Sequence, residues 1–267
     1  MTNAATGMRR NGGLGCAVLL FFTITMFGGP RAQAGDAERI LKAMSDYLTS
    51  QKAMLVAFDS DIEVITPELQ KIQFASSGKL LLSRPDKIRF SRIGGYVDLD
   101  VTFDGKTLTV YGKNLNSYAQ FESPGTVDQI IGRLRDEHNV GAPGADFLLS
   151  SVYDELVEDV MEAKYIGRGV IDGIECEHLA FRNADTDWQI WIELGARPIP
   201  RKYVITSKAV AGAPQYTLRI KDLASDVAIL ADTFEFKPPQ GAMKLPLEAL
   251  ASIDEVPFGV VANGGKK

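Results

Sequence analysis

The sequence predicts a single α+β domain built on a large, curved antiparallel sheet, and three observations carry that reading. Between Val97 and Tyr111 apolar and polar residues alternate with a period of two. Val97, Leu99, Val101 and Phe103 stand against Asp98, Asp100, Thr102 and Asp104, then Leu108 and Val110 against Thr107, Thr109 and Tyr111. That period puts one set on each face of a strand. Similar alternation returns after Lys164, in Trp188, Ile190 and Ile192 and again in Tyr216, Leu218 and Ile220. The two strand-rich blocks are separated by an interval of helical periodicity. Helix, many strands, two helices, many strands is an α+β order, without the regular alternation of βαβ units.

The N-terminus reads as an address. Arg9 and Arg10 precede a short apolar run from Val18 to Phe27, Gly28-Gly29-Pro30 breaks it, and Ala32-Gln33-Ala34 fits the small-residue cleavage rule. The run is shorter than the ~20 residues of a membrane span. The expected division is a cleaved signal peptide over 1–34, one domain over 35–256 and a disordered tail over 257–267. The expected location is the periplasm. The mature chain, about 230 residues, is long enough for one well-buried domain.

The whole chain carries 29 Lys and Arg against 34 Asp and Glu, a net charge of −5. A leader with Arg9, Arg10 and Arg31 and no acidic residue takes three positive charges with it, leaving the mature chain near −8. An acidic chain without a basic run is a poor partner for nucleic acid or anionic headgroups. Of the two cysteines, Cys16 lies in the leader, so Cys176 has no internal disulfide partner and the core must hold the fold.

The elements follow in order. Ile40, Leu41, Met44, Tyr47 and Leu48 fall at helical spacing and Asp36 suits a cap, which predicts a helix over 36–50. Strands are expected over 54–65, 72–82, 87–93 and 97–103. Asp104-Gly105 suits a two-residue hairpin turn that places Val101 opposite Leu108. The returning strand and another over 117–121 complete the first block, which reads as a sheet covered on one face only. Val127, Ile130, Ile131 and Leu134 form one helical stripe, over 126–136. Phe147, Leu148, Val152, Leu156, Val157 and Val160 form another, over 144–162, with Gly141-Ala142-Pro143-Gly144 between them. Asp172-Gly173 is a second hairpin turn. Phe234 and Phe236 alternate with Glu235 and Lys237 in a last strand that Pro238-Pro239 stops.

Catalytic signatures are sparse. There is no GxGxxG, P-loop lysine, HExxH or GxSxG. Cys176 and His178 share a strand face, but two residues fall short of the three or four ligands a metal needs. A Cys–His nucleophilic pair would also need an oxyanion hole. The reading is therefore no enzyme, no metal and no cofactor, with a buried thiol beside a hydrogen-bonded imidazole.

Several segments together resemble LolA-type periplasmic lipoprotein carriers. Gly78-Lys79-Leu80-Leu81-Leu82-Ser83-Arg84-Pro85 resembles their strand ending at an Arg-Pro pair. Asp104-Gly105-Lys106-Thr107-Leu108-Thr109-Val110-Tyr111 is similar to their DGKTLWxY hairpin, with Thr109 where an aromatic is usual. Phe234-Glu235-Phe236-Lys237-Pro238-Pro239-Gln240-Gly241 resembles their closing F-x-F-x-P-P-x-G strand. A nearer likeness, carried by Gly173 to Phe181, Asp187 to Glu193 and Pro198 to Lys202, is to a family of predicted periplasmic proteins of unknown function with the same fold.

The carrier resemblance implies an incomplete, strongly bent β-barrel whose helices cover the open concave face, with an apolar cavity between. On that reading the wall is Leu80, Leu82, Ile88, Phe90, Leu99, Val101, Phe103, Leu108 and Val110. The lid is Ile130, Ile131, Leu134, Phe147, Leu148, Val152 and Leu156, and Arg84 is the latch. The expected partner is a lipid or an acylated lipoprotein, with an envelope membrane protein as a further partner. The alternative is a non-enzymatic envelope interaction or assembly factor that uses the same fold without a ligand. Burying a methylene yields ~0.8 kcal/mol, so ten correspond to about 8 kcal/mol and roughly micromolar affinity before ordering costs.

Overall fold

A computed structural model describes residues 30–138, 141–225, 227–246 and 260–261. Helix α1 (Pro30–Ser50) leads into six consecutive antiparallel strands, β1 (Ala53–Ile65), β2 (Lys71–Ser83), β3 (Lys87–Gly94), β4 (Asp98–Phe103), β5 (Thr107–Gly112) and β6 (Ser117–Glu122). Helix α2 (Val127–Asp136), a 3-10 turn (Ala145–Leu148) and helix α3 (Val152–Val157) follow. The second block is β7 (Glu162–Ile171), β8 (Ile174–Arg182), β9 (Thr186–Glu193), β10 (Pro200–Ser207) and β11 (Gln215–Ser225), and two-residue strands β12 (Met243–Lys244) and β13 (Val260–Val261) close the chain.

The blocks join because the long β1 pairs with β2 on one side and β11 on the other. The result is one large, open, curved sheet in the order β12-β6-β5-β4-β3-β2-β1-β11-β10-β9-β8-β7, with β13 on the far end of β1. Among the described residues every pairing is antiparallel except β12 on β6. The sheet does not close into a barrel.

Register aligns the apolar residues of one face into rows, because residues directly opposite across strands share a side. Met54, Leu82, Ile88, Phe103, Leu108 and Phe121 form a first row, and Val56, Leu80, Phe90, Val101, Val110 and Ala119 a second. On the other wing Phe181 stacks on Trp188 at 3.9 Å. Leu41, Met44 and Leu48 of α1, Val127, Ile130 and Ile131 of α2, Phe147 of the turn and Val152 and Leu156 of α3 join both wings in one core. Helix α1 packs chiefly on β7 and α3. A capping box holds the start of α2. The Thr126 hydroxyl accepts the Gln129 N–H while the Gln129 side chain accepts the Thr126 N–H.

Five expectations are corrected. The hairpin after β4 has a longer loop, so Leu108 faces Phe103 and Val101 faces Val110. The Asp104 carboxylate accepts the N–H groups of Lys106 and Thr107, and only Gly105 adopts positive φ, at 92°. The helix expected over 144–162 is a 3-10 turn and a separate six-residue helix. Leu149 is extended between them, and β7 already begins at Glu162. Helix α1 starts at Pro30, so Asp36 sits inside it. Phe234 to Lys237 form no strand. They belong to a strap across the opposite face of the first block, where Phe236 packs on Tyr111 at 6.0 Å and Tyr118 at 5.1 Å. Arg89 donates to the Thr233 carbonyl, and Phe234 is buried. That face, expected to be wet, is therefore covered around buried Thr102 and Thr109.

The leader through residue 29 lies outside the described residues. So does most of the tail after Pro257, of which Val260–Val261 pairs with Val64 and Ile65 of β1.

Candidate functional site

The site is the seam between the first two rows and the segment 127–157. Of the nine proposed wall residues, Leu80, Leu82, Ile88, Leu99, Phe103 and Leu108 are buried, and Phe90, Val101 and Val110 are half-buried. Of the lid residues, Ile130, Ile131, Phe147, Val152 and Leu156 are buried, while Leu134 and Leu148 are half-buried. Most of both sets belong to one core. Residues of both sets are therefore packed into a common core. Leu99 and Val110 stand outside that core. Two cavities of about 430 and 150 Å³ open elsewhere, at Asp59, Ala75, Ser77 and Arg219 and at Lys164, Ala180 and Gln189. Most of their lining lies on the other face of the sheet by strand parity, while Ser76 of the first and Phe181 and Trp188 of the second belong to the core face.

Polar contacts tie the lid at its edge. Arg84 ends β2 against Pro85, whose carbonyl accepts the Val127 N–H at 2.8 Å and so fixes the start of α2. Arg84 Nη1 donates to the Leu148 carbonyl at 2.7 Å. Its Nε and Nη2 are buried and have no hydrogen-bond partner among the described residues. Burial works against the Arg84 cation and lowers its pKa, opposed by the negative field of Asp128. An arginine nonetheless stays charged, so Arg84 is a desolvated cation whose acceptors among the described residues are incomplete. Within the lid, Asp128 accepts the Ser150 N–H at 3.1 Å and its hydroxyl. Arg135 pairs with Asp146 at 2.8 Å.

Cys176 and His178 share the other face of the sheet, as their spacing requires. Cys176 is fully buried, and burial pushes its thiol above the ordinary value, away from the reactive thiolate. His178 Nε2 pairs with Gln189 Oε1 at 3.0 Å, and its ring stacks on Trp191 at 4.1 Å. Burial, the larger influence, and nearby Lys202 lower its pKa, opposed by the Gln189 contact. Among the described residues no group of three His, Cys, Asp or Glu is placed to hold a metal.

Sequence reasoning missed Arg92, Ser60, Ser76 and Tyr216, which share the core face beyond the second row. The available signal was parity: Arg92 falls in step with Ile88 and Phe90.

The chain belongs to the family described as predicted periplasmic protein (DUF2092), whose model matches residues 37–248. An uncharacterized protein of Methanocaldococcus jannaschii is 23% identical over 246 residues, 89% of this chain and 63% of its own length. The chain thus spans somewhat under two thirds of that relative. Among solved structures, an uncharacterized conserved protein from Thermus thermophilus aligns with a TM-score of 0.45 at 11% identity, over 79% of this chain and 99% of its own. The Pseudomonas aeruginosa MucA/MucB complex aligns at 0.42 and 12%, over 76% of this chain and 61% of its own. The Mycobacterium tuberculosis lipoprotein LppX aligns at 0.40 and 12%, over 73% and 99%. No helix among the described residues is long and apolar enough to cross a membrane.

Proposed function

We propose that this member of a periplasmic family is a carrier of a hydrophobic ligand, a lipid or the acyl chains of a lipoprotein. The ligand is held between the first two rows and the segment 127–157 once that segment lifts. The mechanism is partition, without chemical transformation. Carbon displaced from the seam is replaced by carbon of the ligand, so opening leaves little apolar surface in water once a chain is seated.

The observation that carries this reading is the latch. One Arg84 N–H holds a lid carbonyl while two more guanidinium nitrogens are buried without acceptors among the described residues. A buried charge with incomplete partners costs several kcal/mol, so the closed state has an open competitor that rehydrates Arg84. The leader read from the sequence and the family's description support a periplasmic location.

A second reading, an envelope interaction factor without a ligand, is favoured by the packing of wall and lid residues into one core. Mass spectrometry of protein released from the periplasm without detergent separates the two. Co-purified lipid at near one equivalent supports the carrier. Ligand-free protein that also ignores added fatty acid overturns it and favours the partner-docking reading.

A further inference from the structure

One end of the sheet presents two chain reversals side by side. The first joins β1 to β2 through residues 66–70, and the second joins β10 to β11 through residues 208–214. Ile62 lies opposite Tyr216, and the Gln215 N–H donates to the Glu63 carboxylate at 2.8 Å, so the roots of the two reversals adjoin. The second rests on the first, since a Cβ on Gly212 would lie 2.9 Å from Cδ1 of Ile65.

At the first tip stands a leucine that the fold alone disfavours. Leu69 is 71% exposed and holds φ at 66°. The Leu69 N–H donates to the Thr66 carbonyl and the Thr66 N–H to the Gln70 carbonyl, both at 2.9 Å, so the hairpin itself imposes this backbone. The left-handed region suits glycine or asparagine and is costly for a large side chain. Exposure leaves Leu69 little packing within the chain to offset that cost. A singly exposed apolar residue is ordinary, but one held on strained backbone calls for a role outside the fold.

The two tips carry no free cation. Of residues 208–214 only Lys208 is charged, and its Nζ is turned back onto Asp187 at 2.9 Å and the Asn183 carbonyl at 2.8 Å. Beyond it Ala209, Ala211 and Gly212 are exposed and Val210 is half-buried. Lys71, where β2 begins, pairs with Glu63 at 3.0 Å. Exposed Glu68 is the one charge in either reversal without an ion pair among the described residues. The surface is therefore hydrocarbon with one negative charge, which anionic headgroups repel. Its apolar side chains are too few for a stable protein interface, which buries about 800 Å² on each partner. A bilayer needs less, because each apolar side chain that passes the headgroups leaves water independently.

We propose that Leu69, flanked by the 208–214 reversal, inserts into the surface of a lipid bilayer whose headgroups carry no net charge, docking the sheet end-on. This interaction surface lies outside the seam between sheet and lid and does not depend on the carrier reading.

The test is flotation of protein, released from the periplasm without detergent, with phosphatidylcholine vesicles prepared with and without phosphatidylglycerol. The wild-type chain is expected to float with the neutral vesicles and less of it with the anionic ones. Leu69→Gly is expected to weaken association about tenfold while the thermal midpoint holds or rises, because glycine relieves the left-handed backbone. A leucine with a merely structural role would not combine lost binding with retained stability. Ala211→Asp is also expected to weaken association. Leu230→Ser removes a leucine that is 72% exposed but outside both reversals, and is expected to change nothing. Wild-type protein that does not float, undiminished flotation of Leu69→Gly, or an equal loss in Leu230→Ser overturns the proposal. So does tighter association with the anionic vesicles. Self-association of wild type that Leu69→Gly abolishes, with vesicles ignored, also overturns it and makes the tip a contact between copies of this chain.

Discussion

Arg84 and Leu148, sixty-four residues apart, are joined by a 2.7 Å hydrogen bond from a guanidinium at the end of a strand to a carbonyl of the helical segment. Two further nitrogens of the same guanidinium are buried without partners among the described residues, so the bond and the burial oppose each other. Arg84→Met removes both. Its global stability is expected to stay within about 1 kcal/mol of wild type. Hydrogen exchange over 145–157 is expected to speed several-fold, because the segment loses its tether. Unchanged exchange there would show that Arg84 is an ordinary strand-end contact.

Phe103 and Val110 distinguish packing from lining. Phe103 is fully buried and belongs to the core that the helices share, while Val110 is half-buried and outside it. Phe103→Ala is expected to cost about 3–5 kcal/mol in chemical denaturation, and Val110→Ala under about 1.5 kcal/mol. Comparable losses at the two positions would mean that the seam is uniformly packed, with no softer side for a ligand to enter.

His178 gives stability a pH dependence of definite sign. Its folded pKa lies below the ordinary 6.5, chiefly through burial. Between that lowered value and 6.5 the unfolded chain binds more protons than the folded one, so stability falls as pH falls through this window and does not recover below it. His178→Asn is expected to flatten the slope of the denaturation midpoint between about pH 7 and pH 5. An unaltered slope would place the dependence on other groups.

Cys176 is fully buried and its thiol is pushed up by burial. It is expected to react with a disulfide reagent at pH 8 only as fast as the chain unfolds, and rapidly in denaturant. Fast labelling of the native protein would reopen a chemical role for this residue.

Much of the fold is legible in local pattern, because period-two alternation marks strands wherever one face is covered. The boundaries of β1 to β6 agree with the sequence reading to within a residue or so. Local pattern could not fix what depends on distant chain. Phe234 and Phe236 alternate like a strand although they dock on Tyr111 and Tyr118 from outside the sheet. The break at Leu149 follows from Ser150 being held by Asp128, twenty-two residues earlier. The hairpin register is not legible in the alternation, because Asp104 satisfies two backbone donors with its side chain and so holds a longer loop open. At the candidate site Arg84 was visible through its Pro85 neighbour. Arg92, Ser60, Ser76 and Tyr216 lie on four strands from two blocks, and only the pairing of β1 with β11 brings them together.

The most direct measurement is titration of a fluorescent undecanoic acid into wild type, Arg84→Met and Val101→Trp, the last placing bulk on the second row. We expect roughly micromolar binding by wild type, equal or tighter binding by Arg84→Met, and at least tenfold weaker binding by a folded Val101→Trp. Absence of binding in both wild type and Arg84→Met, or binding indifferent to Val101→Trp, would contradict a ligand seated between sheet and lid.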